Sequence, residues 1–117
     1  MAITTTPGLV MNAKLKNRTD LIVQSFAYVA GKLAQSADPQ QLAALHEEVL
    51  GEAEKHRSAL RLMQRDVVDS ATQGLRTRTL SEARFRRVAD AATKTINLAQ
   101  DGITRIVSQY APHRMAA

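Results

Sequence analysis

The chain has no cysteine and no tryptophan, and only two phenylalanines and two tyrosines among 117 residues. Without cysteine there is no disulfide, no thiol nucleophile and no thiolate metal site, a usage compatible with a reducing compartment. With so few aromatics the core must be thin and aliphatic, because alanine dominates the 44% of residues that are hydrophobic. Three prolines and five glycines cannot supply the turns that many short strands need, which argues against a sandwich or barrel. No stretch approaches the ~18 apolar residues of a membrane-spanning helix. Met1 to Ala13 carries no charge and no long apolar run, so no secretory signal is recognised and a cytoplasmic location is expected. The length suits one domain. An all-α fold is the class that remains.

Sixteen Lys and Arg against eleven Asp and Glu give a net charge of +5 and a pI near 10.1. That balance favours anionic partners without specifying nucleic acid. Residues 1–13 mix β-branched side chains with Pro7 and Gly8 and show no helical period, so they read as an extended arm, flexible or docked on a partner through Ile3, Leu9, Val10 and Met11. Residues 14–112 then form a single helical domain, and 113–117 a tail. A first helix is expected to open at Thr19 or Asp20, either of which can cap free amides, and to run to about Ala37. Ile22, Phe26, Val29, Ala30 and Leu33 share one of its faces.

Asp38-Pro39-Gln40-Gln41 has the form of a helix start, with Asp38 as cap, Pro39 at the first helical position and Gln41 reaching back. The second helix should continue to about Gly74, roughly 50 Å at ~1.5 Å per residue. Leu42, Leu45, Val49, Leu60, Met63 and Val67 fall on its apolar stripe with Ala53, His56, Ala71 and Leu75. Arg57, Arg61 and Arg65 form a like-charged row beside that stripe, for which carboxylates on a neighbouring helix are one candidate offset. Gly74 to Thr79 reads as a turn, and Thr79-Leu80-Ser81-Glu82 as a capping box opening a third helix. Phe85, Ala89, Ala92, Ile96, Ala99, Ile103, Ile106 and Tyr110 continue as a heptad pattern until Pro112. The expected architecture is three helices, the two long ones in an antiparallel hairpin, with an extended N-terminal arm. Leu42, Leu45, Val49, Leu60, Met63, Val67, Ile96, Ile103, Ile106 and Tyr110 are the candidate self-association seam, because long helices overreaching the first would leave apolar surface for another copy.

Few residues carry chemistry. His46 and His56 are ten residues apart and point to different sides of a helix, and no Glu-x-x-His pair occurs, so no metal or cofactor is expected. His56 reads as a seam residue hydrogen-bonded to Glu52. No phosphate-binding glycine loop and no nucleophile motif is present, so the chain reads as non-enzymatic. The strongest functional feature is Arg76, Arg78, Arg84, Arg86 and Arg87, interrupted only by Glu82. Guanidinium groups massed at a helix turn can grip phosphates, acidic protein or lipid headgroups, and Phe85 beside them could add stacking. The alternative is a solvated tip whose charge serves solubility.

The run Leu33-Ala34-Gln35-Ser36-Ala37-Asp38-Pro39-Gln40-Gln41-Leu42-Ala43-Ala44-Leu45 resembles the stretch in phasins, helical coat proteins of polyhydroxyalkanoate granules, where an Asp-Pro-Gln cap opens a long Ala-rich helix. The resemblance lies mainly in residues 30–75 and continues loosely to about 112. It implies a non-enzymatic, self-associating coat that lays helix faces on a hydrophobic surface. The chain departs from phasins in its shortness, its Arg cluster and its lack of most of the leading helical region. Two functional expectations follow: a self-associating structural protein, whether granule coat, secretion-filament subunit or virus-particle subunit, and a basic module that binds nucleic acid or regulates through the Arg turn.

Overall fold

The computed structural model describes residues 7–111. These form three helices, α1 (Pro7–Ser36), α2 (Leu42–Arg76) and α3 (Glu82–Gln109), each packed against both others. The 35 residues of α2 span about 52 Å at ~1.5 Å per residue, which accounts for most of the 59 Å long axis; the other two axes are 29 and 19 Å.

α1 begins well before the sequence suggests. Residues 7–13, read as part of an extended arm, are helical, and residues 1–6 of that arm lie outside the described residues. Pro7 occupies the first position, where its missing N–H costs nothing. The apolar face also extends back past Ile22, because Leu15 and Thr19 are 2% and 1% exposed. Thr19 is therefore not a cap. Its Oγ1–H donates to the Lys16 carbonyl at 2.9 Å, which lets a hydroxyl be buried in mid-helix with its bond satisfied.

α2 starts three residues beyond Pro39. Asp38 Oδ1 accepts from the Gln40 N–H at 3.0 Å and the Asp38 carbonyl from the Gln41 N–H at 2.8 Å, so Asp38 builds a turn of its own instead of capping a helix at Pro39. Gln41 becomes the cap residue and makes no side-chain capping bond. At the far end α2 passes Gly74 and closes at Arg76 with a Schellman arrangement. The Thr79 N–H reaches the Gly74 carbonyl at 2.9 Å, the Arg78 N–H reaches the Leu75 carbonyl at 3.2 Å, and Arg78 takes φ 61°. Gly74 leaves room for Leu80, since a Cβ there would come within 2.9 Å of Leu80 Cδ1 and oblige that side chain to shift. The cap of α3 lies two residues beyond Thr79: Ser81, extended at φ −75° and ψ 161°, accepts from the Arg84 N–H at 3.2 Å. Thr79 instead turns its hydroxyl back to the Gly74 carbonyl at 3.2 Å.

The main core gathers Leu15, Phe26 and Ala30 of α1, Leu45, Val49, Ala53 and Leu60 of α2, and Ala92, Ile96, Ala99 and Ile103 of α3. Four of these are alanines, which allow close helix approach, while Phe26 fills the space between and sets its ring 5.3 Å from that of His56. A smaller cluster at the turn joins Ala71, Leu80 and Val88, with Val67 and Phe85 against it. The expected self-association seam is thus taken up within one chain. Leu45, Val49, Leu60, Ile96 and Ile103 are buried, Met63, Val67, Ile106 and Tyr110 pack partly buried on them, and Leu42 is half-buried. The physical reason is α1: with its extra turns it is long enough to cover the stripes that a shorter helix would leave open.

Arg78 offers the sharpest test of this geometry. Left-handed backbone costs a residue with a Cβ about 1 kcal/mol that glycine is spared, so Arg78→Gly should raise stability by roughly 0.5–1 kcal/mol, a gain trimmed by glycine's freer unfolded chain. The urea midpoint should rise with an unchanged slope; a lower midpoint would contradict the turn.

Candidate functional site

The three helices leave their chemistry at the surface, and its densest concentration is the α2–α3 connection. Arg76 closes α2, Arg78 sits at the left-handed turn, and Arg84, Arg86 and Arg87 occupy the first turns of α3. All five are exposed. Among the described residues none of them takes part in a salt bridge. Arg84 and Arg86 are two positions apart and so diverge around α3, whereas Arg84 and Arg87, three apart, share a face. Glu82 is the one carboxylate within this stretch of chain.

The other arginine row behaves differently. Arg57 Nη2 donates to Thr104 Oγ1 on α3 at 2.8 Å, Arg61 Nη2 meets Glu54 Oε1 at 2.6 Å and Ser58 Oγ at 2.9 Å, and Arg65 Nε lies 3.8 Å from Asp69 Oδ2. Arg61 and Arg65 are thus met by carboxylates of their own helix, whereas Arg57 meets only a hydroxyl from the neighbouring one. Among the described residues Arg18 and Arg105 are likewise exposed and outside any salt bridge, so the tip is set apart by its density of guanidinium groups and not by their lack of partners.

Phe85 does not belong to that surface. It is half-buried against the turn cluster of Ala71, Leu80 and Val88, so its ring supports the turn and is not presented for stacking. His56 is half-buried on the seam, and its Nδ1 lies 2.7 Å from the backbone carbonyl of Glu52 and not from the carboxylate, which pairs with Lys55 at 3.1 Å. A carbonyl only accepts, so Nδ1 carries the hydrogen. Among the described residues there is no group of three His, Asp or Glu side chains placed to hold a metal ion, and no helix is long and apolar enough to cross a membrane.

A second feature was not legible beforehand. Between α1 and α3 runs an open groove of about 420 Å³, lined by Lys16, Asp20, Val23, Leu98, Gly102 and Arg105 among others. Leu98 is 63% exposed on its rim. Large apolar side chains are also exposed elsewhere, notably Leu21, Tyr28 and Leu62. The only advance signal was that Leu98 falls off the heptad stripe, and a single off-stripe leucine means little until the partner helix is known.

No protein-family model, curated protein or solved structure matches the chain.

The role of Phe85 generates a prediction. Phe85→Ala should lower stability by about 1–3 kcal/mol, less than the ~3–5 kcal/mol of a fully buried phenylalanine, while leaving binding of any anion by the still-folded protein unchanged within twofold. Thermal melts paired with an anion titration below the melting range would check both halves.

Proposed function

We propose that the chain is a non-enzymatic helical module that holds an extended polyanion, nucleic acid first among them, against its arginine-bearing end. The observation that carries this reading is the set of five exposed guanidinium groups at one connection, none of them paired with a carboxylate among the described residues. It is supported by an antiparallel course of α2 and α3: Arg57 bonds to Thr104, whereas Gln64, further along α2, bonds to Thr93, earlier along α3. That course puts the connection at an end of the α2–α3 pair, with its exposed arginines facing solvent among the described residues. Guanidinium offers forked donors that match phosphate oxygens, so arginine suits this task better than lysine. With Phe85 committed to the turn cluster, the surface has no aromatic platform for bases. Contacts would therefore go to the phosphate backbone and carry little sequence information.

The second reading is a self-associating structural protein, in its phasin-like form a granule coat and otherwise a filament or particle subunit. Leu21, Tyr28 and Leu62, at 63%, 66% and 56% exposure, favour it. It needs these outward faces, since the long stripes are occupied within the chain. Leu21 and Tyr28 are two helical turns apart on the outer side of α1, a spacing suited to an apolar surface.

Salt dependence separates the two readings. Binding of duplex DNA by the parent should weaken steeply with salt, with a slope of log K against log salt of about −4 to −5 if all five arginines contact phosphate. Replacing Arg84, Arg86 and Arg87 together by Gln should flatten that slope by about 0.9 per lost contact and leave helicity intact. Equal affinity and slope in parent and variant would overturn the polyanion reading. Binding to apolar particles that survives both the substitution and high salt would favour the coat.

A further inference from the structure

We infer that the groove between α1 and α3 is the interface of a two-fold homodimer, in which each copy's Leu98 enters the groove of the other. The inference stands apart from the arginine end and gives self-association a surface that the long stripes cannot supply. Three features of the groove point to a second copy as its occupant.

The first is that knob and hole lie side by side. Gly102 is one turn from Leu98 on α3, and a Cβ at Gly102 would lie 3.4 Å from Val23 Cγ1 of α1. The missing side chain leaves a depression beside Val23, part of a groove of about 420 Å³. Leu98 stands at its edge, 63% exposed, and is the one large hydrophobic residue that lines the groove and is also exposed. A side chain that protrudes one turn from the hole it matches satisfies a copy of itself twice over when a two-fold axis passes between the two positions. A polyanion has no use for such a knob, and a lipid surface has no use for the hole.

The second feature is the charge on the rim. Lys16 and Asp20 are one helical turn apart on α1, both exposed and both lining the groove. Neither forms a salt bridge among the described residues. Opposite charges one turn apart along a helix are self-complementary when the same helix is laid against them in the reverse direction: Lys16 of each copy meets Asp20 of the other. Asp20 also argues against a phosphate-rich occupant, which the neighbouring Lys16 and Arg105 alone would suit.

The third feature is size. The groove follows Lys16 to Gln24 on α1 and Thr95 to Arg105 on α3, about 12–15 Å of helix at ~1.5 Å per residue. A contact confined to two to three turns of each helix is small beside the interfaces of permanent complexes, so the dimer should be reversible and visible at micromolar concentrations and above.

Sedimentation of the full chain from about 5 to 500 μM tests the inference. The parent should shift from monomer to dimer across this range. Leu98→Asp should weaken association about 10-fold or more, because it places a carboxylate in an apolar groove, with unchanged helicity and melting since Leu98 is exposed in the monomer. Lys16→Asp and Asp20→Lys should each weaken association, and the double exchange should restore it, a rescue that an unrelated interface would not give. A parent that stays monomeric to 500 μM, or that forms an oligomer indifferent to Leu98→Asp and to the charge exchange, would overturn the inference. Substituting Arg84, Arg86 and Arg87 by Gln should leave the dimer intact, and Leu98→Asp should leave duplex DNA binding per chain intact, so this proposal and the polyanion reading fail separately.

Discussion

Everything in this molecule rests on one shared aliphatic seam that none of the three helices can bury alone. An amphipathic helix in water is only marginally stable by itself, and its lifetime in a protein comes from covering its apolar face. Here Ala30, Ala53, Ala92 and Ala99 let the backbones draw together, and Leu15, Phe26, Leu60 and Ile103 fill the space that remains. The result is long and thin, 59 by 29 by 19 Å. Among the described residues every buried side chain except Thr19 is apolar. What chemistry it offers is confined to surfaces, in the groove beside α3 and at the α2–α3 turn, and each of these is positioned by a helix that the seam holds in place.

The three helices were legible because periodicity and turn chemistry spoke to the same segments. The boundaries were less so, and each discrepancy has a physical cause. Pro7 and Gly8 suggested an irregular arm, but proline is welcome at a helix start, and burial of Leu15 and Thr19 extends α1 over residues whose own propensity is neutral. Thr79 and Ser81 both had the chemistry of a cap. Leu80 decides between them, because its insertion over Gly74 draws Thr79 into the preceding turn and leaves Ser81 to cap α3. Asp38 likewise had two possible uses, and a local turn won.

Of the candidate sites, the arginines were visible because five of one kind stand within twelve positions of one another in the sequence. Their exposure and, among the described residues, their lack of carboxylate partners were not visible, because Arg61 and Arg65 look equally unpaired on paper and yet lie beside Glu54 and Asp69. The apolar seam illustrates a stricter limit. Spacing identifies which side chains must face something apolar and is silent about whether that surface belongs to the same chain. The groove was beyond reach for a related reason: it joins residues of α1 to residues of α3 that lie some eighty positions away, and no local pattern connects them.

The turn at Gly74 has one more consequence. Its carbonyl receives the N–H groups of both Thr79 and Leu80 and the hydroxyls of Thr77 and Thr79, so the exposed run Arg76 to Thr79 is nonetheless held shut by its own backbone. Proteases that cut after arginine need several residues drawn out into an extended strand, and this segment can offer them only after the turn has opened. Cleavage there would follow the free energy of local opening and not the surface area of the side chains. The exposed arginines of the turn would then be shielded from digestion for as long as Leu80 stays seated over Gly74.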